Sequence, residues 1–208
     1  MYICKKKNMS TLPVYHKDVL EFITVAKEYI LFLDNFKEEK KKVFVFKMQK
    51  FLTLLYLKAS LIPEVENIFN EGNERFCTEE LYEAIKEKIH KQLRTNDNEI
   101  LLNYDSQNVD EQEVVCVSEI LADIYQSLFD FLNLYRIGTE KMMNDAIWEC
   151  QQDFKNLWGK KLIAVLNIFH QLLYEDLINE NDFDTETKSK DKKTKKNNWF
   201  TNMMKENE

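Results

Sequence analysis

The stretch YRIGTEK, residues 135–141, decides the fold because it joins two long apolar helical patterns. Gly138 fits the left-handed position that ends many helices, which glycine adopts at little cost. Thr139 fits the N-cap of the next helix, because its hydroxyl can accept a hydrogen bond from an exposed backbone N–H. The stretch therefore predicts a tight turn between two antiparallel helices.

Apolar residues recur at helical spacing on both sides of this turn. The preceding helix is predicted from about Ser118 to Ile137, and the following one to about Asn179, with Gly159 as a candidate bend. Earlier in the chain the pattern predicts helices at about 15–35, from a charged start at 37–42 to about 60, and at about 78–94. Residues 95–114 are acidic and lack periodicity, so they predict a long loop, with a candidate short element at Ile100 to Tyr104.

The fold class that follows is all-α, with five main helices in an antiparallel bundle. Only three glycines and two prolines occur among 208 residues, so few turns and long elements are expected. We assign residues 13–179 to the bundle domain, 1–12 to a disordered N-terminal extension and 180–208 to a disordered Lys-rich tail. The tail assignment follows from its polar composition, which cannot build a core.

Composition also argues against several classes of function. The formal charge of −7 disfavours nucleic acid as a partner of the bundle, since such binding neutralises phosphates. No cysteine pair has the C-x-x-C spacing of zinc or thioredoxin-type sites, and three scattered glycines form no phosphate-binding loop. Neither a signal peptide nor a transmembrane run is recognised, which predicts a cytoplasmic protein. We expect no cofactor, since no cofactor-binding motif is recognised.

Acidic residues on helices four and five are the first candidate site. On helix four, Glu119, Asp123 and Asp130 lie opposite the apolar face, so we expect them to be solvated. On helix five, Asp145 lies outside the core face, Glu149 at its border and Asp153 at its edge. That core face is predicted from Met143, Ala146, Cys150, Phe154 and Leu157.

Two interpretations of these acids stay open. In the first they are structural, and a boundary carboxylate such as Glu149 pairs with Arg136 or Lys58, because half-buried charges are usually paired. In the second they line a ligand-binding groove. The candidate ligand-binding residues are Asp123, Arg136, Asp145, Glu149 and Asp153.

Metal-dependent chemistry has partial matches only. Glu79, Glu80 and Glu83 match the first half of the E-E-x-x-E and E-x-x-D pattern of all-helical metal-dependent pyrophosphatases, but the acids of helices four and five are spaced by four rather than three. A di-iron bundle needs two E-x-x-H motifs, and Glu87 with His90 supplies one. We therefore expect no metal site.

The C-terminal tail is the second candidate site. A run of six lysines, which includes Lys192 and Lys193, is followed by an apolar cluster that begins with Trp199 and Phe200. Such a segment can contact anionic lipid or a groove on a partner protein. The alternative is a solubilising tail that binds nothing.

Four stretches carry a resemblance to a known family: MSTLPVYHKDVLEFITVAKEY (9–29), LLYLKASLIPEVE (54–66), VSEILADIYQSLFDF (117–131) and YRIGTEKMMNDAIWECQQDFKNLWGKKL (135–162). They resemble an uncharacterised bacterial family of helical proteins, domain of unknown function 5063. The resemblance implies a helical bundle and transfers no activity. We expect a non-enzymatic interaction or adaptor bundle; the alternative is a pyrophosphatase-like or other small-molecule-binding enzyme that uses the acids of helices four and five.

Overall fold

The computed structural model describes residues 13–69, 74–102 and 112–175. The chain is all-α, as predicted. Its helices are α1 (Lys17–Asn35), α2 (Lys41–Ser60), α3 (Glu79–Leu93), α4 (Val117–Ile137), α5 (Glu140–Asp153) and α6 (Gly159–Tyr174). The predicted fifth helix corresponds to α5 and α6 together. The antiparallel order of the whole bundle stays a prediction, and the N-terminal extension and the tail lie outside the described residues.

Two helices begin at a threonine whose hydroxyl caps the first turn, and the one at Thr139 was predicted. The hydroxyl of Thr78 accepts a hydrogen bond from Leu81 N–H at the start of α3, and Thr139 accepts one from Met142 N–H at the start of α5. Each cap satisfies one of the backbone donors that the first turn of a helix leaves open.

The turn at Gly138 exists, but the predicted left-handed conformation is wrong. Gly138 has φ −77° and ψ 159°, an extended conformation that any residue adopts. Glycine is required there by space instead. A Cβ would lie 2.7 Å from the Leu134 carbonyl oxygen and 2.9 Å from Met142 Cβ, because α5 begins directly against the end of α4.

The predicted loop over residues 95–114 contains a β-hairpin. Strands β1 (Asn98–Leu102) and β2 (Gln112–Cys116) pair antiparallel, and residues 103–111 between them are not described. At the base of the hairpin the buried Asp97 carboxylate accepts hydrogen bonds from the Ser118 N–H at 2.6 Å and from its hydroxyl at 2.7 Å. The short element predicted at Ile100 to Tyr104 overlaps strand β1, whereas strand β2 was not predicted.

Helix α4 forms the centre of the core and contacts α1, α3, α5 and α6. The Tyr29 hydroxyl of α1 donates a buried hydrogen bond of 2.8 Å to the Leu121 carbonyl of α4. Helix α2 packs between α1 and α6 through one side and leaves its other side exposed. None of the described helices has both the length and the apolar character that a membrane span needs.

A π-helical turn, Phe154–Trp158, joins α5 to α6. One turn of this kind holds an extra residue relative to an α-helix, so the face that points to the core shifts. The prediction that Leu157 belongs to the core is therefore wrong: its side chain is 58% exposed, whereas Trp158 is 2% exposed. A Cβ on Gly159 would lie 2.3 Å from the Phe154 carbonyl oxygen, so this turn requires glycine.

Candidate functional site

A polar cavity of about 380 Å³ lies where α4 faces the π-helical turn. The segment between α2 and α3, residues 61–78 without the undescribed 70–73, supplies a further wall and is called the α2–α3 connection. Three carboxylates and two cationic side chains share this small volume. The cavity is lined by Arg75, Asp123, Gln126, Ser127, Asp130, Asp153, Leu157, Trp158 and Lys161.

Asp123 has partners on two neighbouring helices. Its Oδ1 accepts a hydrogen bond of 3.0 Å from the Tyr82 hydroxyl of α3, and its Oδ2 lies 2.7 Å from the Lys161 Nζ of α6. Burial and the Asp123 charge raise the pKa of Tyr82, so that hydroxyl remains a proton donor. Asp123 is thus partly buried and paired rather than freely solvated.

Asp153 is the least satisfied of the cavity carboxylates. Its Oδ2 accepts a hydrogen bond of 2.8 Å from the Ser127 hydroxyl. Burial is the main cause that raises the pKa of Asp153, and the nearby charge of Glu149 raises it further, while Ser127 and Arg75 oppose the shift. A cationic or hydrogen-bond-donating group beside Asp153 would stabilise its charged form.

The prediction that Asp130 is solvated is wrong. Its side chain is 5% exposed, and its Oδ1 accepts two hydrogen bonds of 2.7 Å from the N–H groups of Phe76 and Cys77. The amphipathic pattern of α4 could not reveal this, because the donors come from a non-helical segment that is 53 or more residues away in sequence.

Arg75 is a cavity residue that was not predicted from the sequence. One guanidinium nitrogen lies 2.7 Å from Glu149 and another lies 3.5 Å from Asp130. Glu149 therefore pairs with an arginine, but with neither of the two predicted partners. The Glu149 side chain lies beside the main cavity, in a small adjoining recess that Asp153 and Arg75 also line.

Asp145 lies away from the cavity, and its predicted position outside the core is also wrong. It is 2% exposed, and its two oxygens accept hydrogen bonds of 2.8 and 2.9 Å from the N–H groups of Ile68 and Phe69. The neighbouring Gln151 donates to the carbonyls of Ile62 and Pro63. This part of α5 therefore holds the backbone of the α2–α3 connection.

The remaining predicted site residues do not join the cavity. Arg136 is exposed and donates a hydrogen bond of 3.1 Å to the Asn133 side chain. Lys58 pairs with Glu21 at 2.6 Å. Lys192, Lys193, Trp199 and Phe200 of the tail lie outside the described residues.

The π-helical turn brings Trp158 to the cavity. Its indole ring lines the space, and its buried Nε1–H has no hydrogen-bond partner among the described residues. π-Helical turns occur frequently at functional sites, because they place side chains where a regular helix cannot. Gly159 was the available sequence signal, and it had been interpreted only as a bend.

The described residues contain no cluster of three or more His, Cys, Asp or Glu side chains that could hold a metal ion. Glu79 and Glu80 are exposed at the start of α3, where a backbone hydrogen bond lowers the pKa of Glu80. His90 lies 2.6 Å from the buried carboxylate of Asp97, at the hairpin base. The pyrophosphatase-like and di-iron matches therefore stay apart from the cavity.

Comparisons with known proteins agree with the helical fold. A family model, "Domain of unknown function (DUF5063)", matches residues 13–175. The crystal structure of protein BF1032 from Bacteroides fragilis is similar, with a TM-score of 0.67 and 36% sequence identity, and the match covers 77% of this chain and 95% of that one. No curated protein matches the chain significantly.

Proposed function

The chain belongs to the DUF5063 family, a domain of unknown function, and we propose that it is a non-enzymatic helical bundle that binds a small amine in its polar cavity. The observation that carries this proposal is the convergence of Asp123, Asp130 and Asp153 with Arg75 and Lys161 around one space. A volume of about 380 Å³ lies within the range of small-molecule sites.

The preference for an amine follows from which carboxylate has capacity left. Asp130 is occupied by two backbone N–H groups and Arg75, and Asp123 by Tyr82 and Lys161. Asp153 has one hydroxyl partner, and burial disfavours its charge. An ammonium group that contacts Asp153 would donate a charge-assisted hydrogen bond to this carboxylate, which among the described residues otherwise accepts a hydrogen bond only from the Ser127 hydroxyl.

Trp158 adds a second requirement on the ligand. Its buried Nε1–H is a donor without an acceptor, and leaving such a group unsatisfied costs about 1–3 kcal/mol. An oxygen atom on the ligand would accept a hydrogen bond from this donor. The ligand class supported best is therefore a small molecule that carries both an ammonium group and a hydroxyl or carbonyl oxygen.

An enzyme that uses the same acids is the alternative function. It would need a ligand that reacts in the cavity, and Asp153, with its raised pKa, would be its acid or base. An adaptor role for the bundle is compatible with ligand binding. It rests on a different surface of the molecule, which is described below.

Thermal unfolding of the full chain tests the cavity. The panel contains amino alcohols, amino acids and polyamines, with nucleotides and Mg²⁺ or Mn²⁺ as separate arms. A true ligand at about 100 times its Kd adds about 2.7 kcal/mol, which raises the Tm of a domain of this size by roughly 5–10 °C. We expect an amine to produce this shift and Asp153→Asn to remove it.

Glu83→Gln is the matched control, because Glu83 is 58% exposed and pairs with Lys86 on α3, outside the cavity. This variant should keep the full shift. The proposal fails if no amine shifts the Tm, or if the shift is equally large in Asp153→Asn. Turnover of a bound amine would instead establish the enzyme alternative.

A further inference from the structure

Helix α2 has apolar residues on two opposite sides. One side is buried in the core and includes Phe44, Met48, Leu52 and Leu55. The other side is exposed, with each of its apolar side chains between 40% and 50% accessible. This exposed set, called the α2 stripe, consists of Val43, Phe46, Leu54, Leu57 and Leu61.

The α2 stripe follows one face of the helix in two apolar groups, Val43 with Phe46 and Leu54 with Leu57 and Leu61. Its members recur at intervals of three, four or eight residues, which places them on one face, and Lys50 occupies the turn between Phe46 and Leu54. The stripe extends about 27 Å at 1.5 Å per residue. Single exposed apolar residues are ordinary, but five on one helix face, with Lys50 between its two groups, mark an interaction surface.

All charged side chains of α2 itself, which carries the stripe, are lysines. Residues 40–61 contain six lysines and no aspartate or glutamate, although the whole chain has a net charge of −7. Glu39 and Glu21 of neighbouring segments pair with Lys47 and Lys58. Lys40 is exposed, and Lys50 lies over the Phe46 ring, so cations border the apolar surface. A complementary partner is both apolar and anionic.

The C-terminal end of the described structure lies at the same surface. Leu173 and Tyr174 of α6 line a groove of about 510 Å³ together with Val43 and Phe46 of the stripe. The sequence that follows contains the six-lysine run and then Trp199. The chain therefore leaves the described part beside the stripe, and after the acidic residues 176–187 a second basic and aromatic segment begins at Lys188.

We propose that the α2 stripe docks onto an anionic lipid surface. The apolar side chains enter the boundary between headgroups and acyl chains, and the bordering lysines contact acidic headgroups. The C-terminal basic segment supplies a second contact, and lasting peripheral binding generally needs two. A second copy of the chain is disfavoured as occupant, because it would bring the same lysines together. This inference is independent of the amine site.

Flotation of the full chain with lipid vesicles tests the proposal. Vesicles of phosphatidylcholine with about 30% phosphatidylserine should bind the protein, and pure phosphatidylcholine vesicles should bind much less. Binding should weaken as salt rises, because the Debye length falls from about 10 Å at 0.1 M to 3 Å at 1 M. The double variant Phe46→Ser with Leu57→Ser should lower partitioning about tenfold or more, since it removes apolar area that enters the lipid.

The matched control is Ile137→Ser with Met142→Ser, which removes apolar side chains of 56% and 36% exposure at the α4–α5 turn. It should bind vesicles like the wild type. A further variant, Trp199→Ser with Phe200→Ser, separates the two contacts. If that change abolishes binding while the stripe variant binds normally, the tail acts alone and the proposal is wrong.

Other occupants of the stripe give different results. A second copy would be identified if light scattering shows a mass that doubles as the protein concentration rises, and if the stripe variant stays monomeric. In that case the protein would not bind vesicles. The chain's own tail would be identified as the occupant if the protein does not bind vesicles and trypsin cleaves Lys192 and Lys193 faster in the stripe variant than in the wild type. Either result, or no vesicle binding at all, overturns the proposal.

Discussion

Replacing Gly159 by alanine tests the π-helical turn, because the expected sign is opposite to that of a regular helix. Within an α-helix, glycine to alanine stabilises by roughly 1 kcal/mol. Here the new Cβ would lie 2.3 Å from the Phe154 carbonyl oxygen and 3.0 Å from its ring. That oxygen also accepts the Gly159 N–H, so it cannot move away without breaking the hydrogen bond of the turn.

The expected cost follows from this clash. Overpacking in a tight site costs about 1–3 kcal/mol. A central value of about 2 kcal/mol lowers the Tm by roughly 4–8 °C in a domain of this size. Thermal unfolding followed by circular dichroism measures the change, with Asn167→Ala at an exposed position of α6 as the control that should be neutral or slightly stabilising.

A second variant shows that the cost comes from the extra residue of the turn. Deleting the exposed Asn156 converts the π-helical turn into an α-helical one while α5 and α6 keep their faces. In that background Gly159→Ala should no longer destabilise. If Gly159→Ala alone raises the Tm, the turn is α-helical in solution, and the assignment of Trp158 to the cavity wall falls with it.

Three further predictions concern single side chains. Asp145→Ala should lower the free energy of unfolding by about 1–3 kcal/mol in urea titration, because two backbone N–H groups lose their acceptor; no loss relative to Glu140→Ala would contradict this. Gly138→Ala should lower the Tm despite its ordinary φ, since the Cβ lies 2.7 Å from the Leu134 carbonyl oxygen; an unchanged Tm would show that this turn has room. Asp153→Asn should have the same Tm as the wild type at a pH below the ordinary carboxyl pKa of 3.8, and a progressively higher Tm than the wild type as the pH rises. The reason is that the raised pKa of Asp153 makes its ionisation unfavourable in the folded state. Tm measured against pH checks this, and a Tm difference that stays constant with pH would refute it.

The helical elements were predictable because their signals are local. Apolar residues at helical spacing and the hydroxyls of Thr78 and Thr139 act within a few residues of the chain. The bounds of α1 to α4 and the start of α5 were therefore predicted closely. The requirement for glycine at 138 was also recognised. Its cause was misassigned, since sequence cannot distinguish a left-handed backbone from a close approach of two helices.

The roles of the acids were not predictable from helical periodicity. A helical projection places Asp130 and Asp145 among polar residues and therefore predicts exposure. Both are buried because distant coil segments supply backbone N–H donors to them. Arg75 was missed for the same reason, since it belongs to a segment without periodicity. The extra residue of the π-helical turn then moved the expected core position from Leu157 to Trp158.

The α2–α3 connection has a consequence for the order of assembly and for access to the cavity. Its hydrogen bonds to α4 and α5 join residues 53 to 89 positions apart, whereas the α4–α5 turn closes between neighbours. Because distant contacts cost more loop entropy, we expect this connection to dock after the helices have formed and to open before they unfold. In native-state hydrogen exchange, the amides of Phe69 and Cys77 should then exchange by a local opening. Arg75 would leave with the connection, so the cavity widens while the bundle stays folded.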